Sequence, residues 1–201
     1  MNRPDRTAIH NAMTDKGYVI FGNAKGFDLN IAGIRSAATK ANSFDDWLTV
    51  SYRDAAHGDW VFYAFACTTD PGLTHLQNLS HPDGTAVLKE GQYRASHMIR
   101  KHQGKYDAIC QKPGYVLQTY RDRNADGTID RDAGNVFTNA TGINIHRASA
   151  TRRSTQVDRW SAGCQVLADP TDFDILMTLA RRAKKIYGNS FTYTLLHEND
   201  L

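Results

Sequence analysis

The sequence contains no run of about 18 apolar residues, the minimum for a membrane-spanning helix. Its first residues, Met1-Asn2-Arg3-Pro4-Asp5-Arg6, are basic, but no apolar core follows them. A secretory signal needs that core, so the expectation is cytoplasmic synthesis, with a different delivery route if the target lies outside the cell. Cysteine is scarce: Cys67, Cys110 and Cys164, with no Cys-x-x-Cys pair. That excludes a disulfide scaffold and argues against a structural zinc site. A Cys67–Cys110 bridge beside one free thiol and three reduced thiols fit the count equally well. No charge dominates: 24 Lys and Arg face 21 Asp and Glu, a net +3. This excess is too small to argue for nucleic acid, yet it suits an anionic polymer. Only five prolines are present, and no repeat or linker divides the chain.

With 201 residues, 41% of them hydrophobic, the chain has enough material for one sizeable core. The pattern reads as mostly β, with a helix near each end. Residues 5–16 place Ala8, Ile9, Ala12 and Met13 on one helical face, and Gly17 stops them. Tyr18–Phe21 reads as a buried strand, and the alternation of Phe27, Leu29 and Ile31 as a second. Leu48, Val50 and Tyr52 form a hairpin with Trp60–Cys67. Further strands are expected at Thr85–Leu88, from Gly91, at Ala108–Cys110, at Tyr115–Tyr120 and from Val136 to Ile145. Ile99–Tyr106, basic and aromatic around Gly104, reads as a loop able to bind carboxylates. Asp169 and Pro170 open the best helix, Gly188 closes it, and Phe191–Leu195 is the last strand.

The most informative stretch runs from Gly142 to Val166. Ile143 and Ile145 alternate into His146, and eighteen positions later Cys164 sits in the turn Ser161-Ala162-Gly163-Cys164. An imidazole beside a thiol can take its proton and make a nucleophile. Gly163 lets the backbone approach a bound group, and the amides of Gly163 and Cys164 are placed to hold an oxyanion. Ser161 is expected to orient either the turn or the imidazole. Arg147, Arg152, Arg153 and Arg159 make the neighbourhood cationic, which favours a thiolate and attracts carboxylates.

This pattern resembles the signature of the L,D-transpeptidase (YkuD-type) family of cell-wall enzymes, and the resemblance covers roughly residues 84–168. His146 matches that family's base, Cys164 its nucleophile, and Ser161 and Gly163 the Ser/Thr and Gly of its turn. Ala162 stands where the family has a second histidine, Arg147 where a small residue follows the first, and Val166 where an arginine is common. The resemblance implies a β-sandwich-like catalytic domain, expected at residues 81–201; residues 1–80, which it does not explain, are expected to form an N-terminal α/β extension packed on that domain. The resemblance also implies a cysteine acyltransferase or peptidase acting on L-centre to D-Ala bonds of peptidoglycan stem peptides, through an acyl-enzyme thioester and without a metal. Transfer, carboxypeptidase and endopeptidase outcomes all stay open. Arg147, Arg159, His102, Tyr106 and Arg100 are the expected substrate-binding residues. The work would be done at the bacterial cell wall or in the periplasm, with phage-associated or other non-Sec delivery and a delivery or immunity partner. A toxin or phage lysin using the same pair, and a non-enzymatic wall-binding or virion protein keeping the fold, are the rivals.

One other motif stands apart. Asp122, Asn124, Asp126, Gly127 and Asp130 match the first nine positions of an EF-hand calcium loop, but Ala133 occupies the place of its bidentate glutamate. A turn rich in Asp, Asn and Gly has the same pattern, so calcium and a plain turn are both expectations.

Overall fold

The computed structural model describes residues 1–79 and 81–201. It is a mixed α/β fold with an eight-stranded sheet, a three-stranded sheet and three helices. The first helix, α1 (Arg6–Asp15), starts where the Asp5 carboxylate accepts the Ala8 N–H. The strands β1 (Asn30–Arg35), β2 (Asp46–Arg53) and β3 (Trp60–Thr68) form a meander. After α2 (Leu73–Gln77) come β4 (Thr85–Leu88), β5 (Gly91–His102), β6 (Tyr106–Gln111), β7 (Leu117–Asp122) and β8 (Val136–Ala140). Two short strands, β9 (Ile145–Arg147) and β10 (Gln165–Leu167), flank the loop that separates His146 from Cys164. The chain finishes with α3 (Pro170–Tyr187) and β11 (Phe191–His197).

Eight strands close on themselves in the order β1-β11-β5-β6-β9-β10-β3-β2, and β4-β7-β8 form the smaller sheet. The closure pairs β1 with β11 in parallel, Ile31 opposite Tyr193. Strands from both sides of residue 80 therefore share one sheet. Alternation along each strand sorts residues by face. Ile31, Leu48, Val50, Tyr193 and Leu195 belong to the main core with Phe173, Leu176, Met177 and Ala180 of α3. Ala32, Ile34 and Leu196 face the other way and pack on Ile9, Ala12 and Met13 of α1. Gly33 on the first face is obligatory, because a Cβ there would lie 2.0 Å from the Tyr193 hydroxyl.

A buried ion cluster ties the halves together. Arg35, fully buried, reaches Asp70 at 3.1 Å and Glu90 at 2.6 Å, and Arg131 reaches Asp70 at 2.6 Å. Its charges compensate one another, the condition on which buried ions are tolerated.

The chain departs from the sequence expectations in several places, one being the expected strand from Val136 to Ile145, which is broken at residues 141–144 between β8 and β9. Tyr18–Phe21 forms no strand. The Val19 N–H and C=O are taken by the Gln92 side-chain amide (3.0 and 2.9 Å), and those of Phe21 by the Asn30 amide (2.7 and 2.8 Å). Side-chain amides thus replace a ladder. The alternation at Phe27–Ile31 becomes β1 only from Asn30, because Phe27 has a φ of 56°. The expected loop Ile99–Tyr106 is the end of β5, a three-residue turn and the start of β6, with His102 opposite Tyr106. All three cysteines are free thiols, so no Cys67–Cys110 bridge forms.

Candidate active site

Parallel pairing of β9 with β10 brings the two ends of the long loop together. His146 lies opposite Val166, and the Gln165 N–H donates to Asn144 C=O at 2.8 Å. Cys164 immediately precedes β10, so it sits beside Asn144 on the neighbouring strand, two residues from His146 in register. His146 and Cys164 line different clefts, His146 with Tyr106 and Arg147 and Cys164 with Gly142 and Ala162.

The turn that carries Cys164 is locked from within. The Ser161 hydroxyl, fully buried, donates to Cys164 C=O at 2.8 Å and accepts the Gly163 N–H at 3.1 Å. Of the two expected roles, Ser161 orients the turn. Gly163 has a φ of 119°, and a Cβ on it would lie 2.5 Å from Ala86 C=O in β4. Only glycine tolerates that conformation and that approach. The expected pair of oxyanion amides is reduced to one. The Gly163 N–H is consumed by Ser161, while the Cys164 N–H has no acceptor among the described residues.

The thiol is half-buried. It donates to Gly142 C=O at 3.2 Å and accepts the Asn144 N–H at 3.4 Å. Burial pushes its pKa up to about 11, against a smaller opposing effect from the Asn144 amide. The thiol is therefore protonated at neutral pH.

His146 is buried, and its ring is fixed in one tautomer. Nδ1 lies 2.8 Å from Arg147 C=O. A carbonyl only accepts, so Nδ1 carries the proton and Nε2 holds the free lone pair. Desolvation first, then the neighbouring His102, lowers its pKa to about 4. His102 stacks on it with ring centroids 4.2 Å apart and planes at 22°. His102 Nδ1 lies 3.2 Å from the Asn144 side-chain NH2, which makes Nδ1 the acceptor on that ring. The second imidazole of this neighbourhood thus comes from β5, and Ala162 is exposed at the turn.

The substrate-binding candidates fall around two clefts. His102, Tyr106, Arg147 and Arg159 line a cleft of about 490 Å³ with His146. The Arg147 guanidinium lies 4.0 Å above the Tyr106 ring, a cation–π contact. The Tyr106 hydroxyl donates to Arg147 C=O at 3.4 Å, so Tyr106 helps fix the carbonyl that holds His146. Arg100 lies instead on β5 and lines a neighbouring cleft of about 460 Å³ with His102 and Asn144. Cys164 opens into a third cleft of about 250 Å³, shared with Ala162, Gly142, Thr141 and Arg121.

Two further residues, Asn144 and Arg121, lie beside these side chains. Asn144 contacts the thiol through its N–H, pairs β9 with β10 through its C=O, and holds His102 through Nδ2. Its Oδ1 accepts the Gln111 N–H at 3.0 Å. Its position two residues before His146 was the available signal. Arg121 had no signal, since nothing local marks it off from other arginines.

The Asp122–Asp130 stretch forms a self-capping turn. Asn124 Nδ2 donates to Asp126 and Asp130, Asp126 Oδ1 accepts the Thr128 N–H at 2.7 Å, and Asp122 Oδ2 accepts the Asp130 N–H at 3.0 Å. Among the described residues no group of three or more His, Cys, Asp or Glu is placed to hold a metal ion. No helix among the described residues is long and apolar enough to cross a membrane. Comparison of the chain with protein-family models, with curated proteins and with solved structures gave no match.

Proposed function

We propose that the chain is a cysteine acyltransferase or peptidase of the L,D-transpeptidase type, acting on the peptide stems of peptidoglycan. The observation that carries this reading is the tautomer of His146. Its Nδ1–H is held by Arg147 C=O at 2.8 Å, so Nε2 is the basic nitrogen, on the strand next to the one Cys164 leads. In this reading Nε2 takes the thiol proton as sulfur attacks the carbonyl, and the resulting imidazolium gives it to the leaving amine. The Cys164 N–H, which lacks an acceptor among the described residues, holds the developing oxyanion. The thioester then passes its acyl group to an amine or to water. With the thiol raised to about 11 and the imidazole lowered to about 4, proton transfer accompanies attack, since the pair is neutral at rest. The closed eight-stranded sheet with its three-stranded neighbour is, on this proposal, a variant of the sandwich-like catalytic domain.

The test is incubation of the protein, and of Cys164→Ala, with muropeptides carrying either common diamino acid, followed by mass spectrometry. Loss of D-Ala or of cross-links with the wild type alone establishes a hydrolase, and heavier or exchanged products a transferase. Unchanged muropeptides in both samples refute catalysis and favour a wall-binding role. The hydrogen bond from the resting thiol to Gly142 C=O, rather than to the imidazole, is the feature that favours that rival.

A further inference from the structure

Buried guanidinium groups in this protein are treated in two ways. Arg35 is fully buried and has two carboxylate partners. Arg121, on β7, is only 5% exposed and forms no ion pair among the described residues. Of the five N–H donors of a guanidinium, Gly84 C=O takes one at 3.0 Å and Asn139 Oδ1 another at 2.8 Å. Its Nε–H is buried with no acceptor. Asp83 offsets part of its charge through space but is hydrogen-bonded to the Asn139 amide, whose Nδ2 donates to the Asp83 carboxylate at 2.9 Å, and not to the guanidinium. A buried cation with no ion pair is costly, and desolvation lowers the Arg121 pKa against a smaller opposing effect from Asp83.

The position of this charge gives it a use. Arg121 pairs in register with Ala86, whose carbonyl packs on Gly163. It also lines the same cleft as Cys164, where the one other ionisable side chain in the lining is His81. A fixed, desolvated guanidinium beside a nucleophile is suited to a planar anion on the molecule under attack.

We infer that Arg121 is a specificity-determining residue that receives a free carboxylate of the substrate in the cleft it shares with Cys164. This rests on reading Cys164 as the nucleophile. In a stem peptide the carboxylate is either that of the terminal D-residue or the second carboxylate of the diamino acid.

The first experiment needs no turnover. Cys164 is labelled with 2-carboxyethyl and with 2-hydroxyethyl methanethiosulfonate, and the rate ratio is divided by that for the same protein unfolded in urea. Cys67 and Cys110 are buried, and peptide mass mapping identifies the labelled site. The wild-type normalised ratio is expected above one. Arg121→Gln should lower it roughly 5- to 10-fold, the size of a charge interaction across a partly solvated cleft, and Arg121→Lys, which keeps the charge but not the planar fork, should keep it within about threefold. A wild-type ratio at or below one overturns the inference even where Arg121→Gln fails to fold. So does an Arg121→Gln ratio equal to that of a folded wild type. The second experiment compares stems amidated at the terminal carboxylate with stems amidated at the diamino acid. The amide that raises KM in the wild type but not in Arg121→Gln identifies the source. Inactivity on every stem refutes the enzymatic reading, while the labelling ratio decides the role of Arg121 separately.

Discussion

The neutral resting pair makes a prediction that can be worked through in numbers. Alkylation of Cys164 by iodoacetamide should have no acidic plateau. With the thiol at about 11, roughly one molecule in ten thousand carries a thiolate at pH 7, against roughly 3% for a free cysteine near 8.5. That is a deficit of about 300-fold. A more basic thiolate is also a better nucleophile, and a Brønsted slope of 0.4–0.5 over about 2.5 units returns some 10- to 18-fold. Cys164 should therefore react about 20- to 30-fold more slowly at pH 7 than the same cysteine in the unfolded chain. Its rate should climb about tenfold per pH unit between pH 6 and 10. Stopped samples analysed by peptide mass give the rate at each pH. His146→Ala should leave this profile nearly unchanged, because a neutral imidazole does not hold a thiolate. A rate constant that levels off between pH 5 and 8 and loses that plateau in His146→Ala would demonstrate a preformed thiolate–imidazolium pair and refute the argument.

Other changes test the scaffold of the site. Gly163→Ala places a side chain at a φ of 119° and 2.5 Å from Ala86 C=O. It should cost about 3 kcal/mol or more, read as a lower urea midpoint, together with loss of any Cys164-dependent turnover. Ser161→Ala strands the buried Gly163 N–H and should cost about 1–3 kcal/mol, measured by the same denaturation. Asn144→Ala removes the acceptor for the Gln111 N–H and the donor to His102, and should lower Tm while leaving Cys164 accessible to thiol reagents. Burial holds His97 and His146 neutral, each lowered to about 4. The unfolded chain takes up their protons first, near pH 6.5. Their stabilisation is thus complete above that value and is lost as pH falls towards 4, at up to about 1.4 kcal/mol per pH unit for each. Urea titrations at several pH values should show that slope, and His97→Asn should reduce it by about one histidine's share.

Much of the geometry around His146 and Cys164 was readable because it is set by neighbours in sequence. His146, Cys164, Ser161 and Gly163 lie within nineteen residues, and a strand, a loop and a glycine turn leave few ways to arrange them. The caps of α3 were equally local, Asp169 accepting the Thr171 N–H and Gly188 ending the helix. What escaped depends on distant pairing. Arg121 enters the site because β7 pairs with β4 and β4 packs on Gly163, a relation no spacing encodes. His102 was picked out as part of a loop, but its stacking on His146 follows from the register of β5, β6 and β9. Tyr18–Phe21 has strand character in its side chains, yet its partners are amide side chains from residues 30 and 92.

The parallel seam between β1 and β11 has a consequence for how the chain is made. Ile31 finds its partner only when Tyr193 is available, so the sheet closes across nearly the whole sequence. Such a contact is slow to form, because the intervening chain must be ordered before the pairing returns any free energy. During synthesis β1, β2 and β3 emerge early as a meander with both outer edges bare, a template for association with other chains. A nascent-chain series should accordingly stay protease-sensitive and aggregation-prone until Phe191–His197 clears the ribosome, then become resistant in one step.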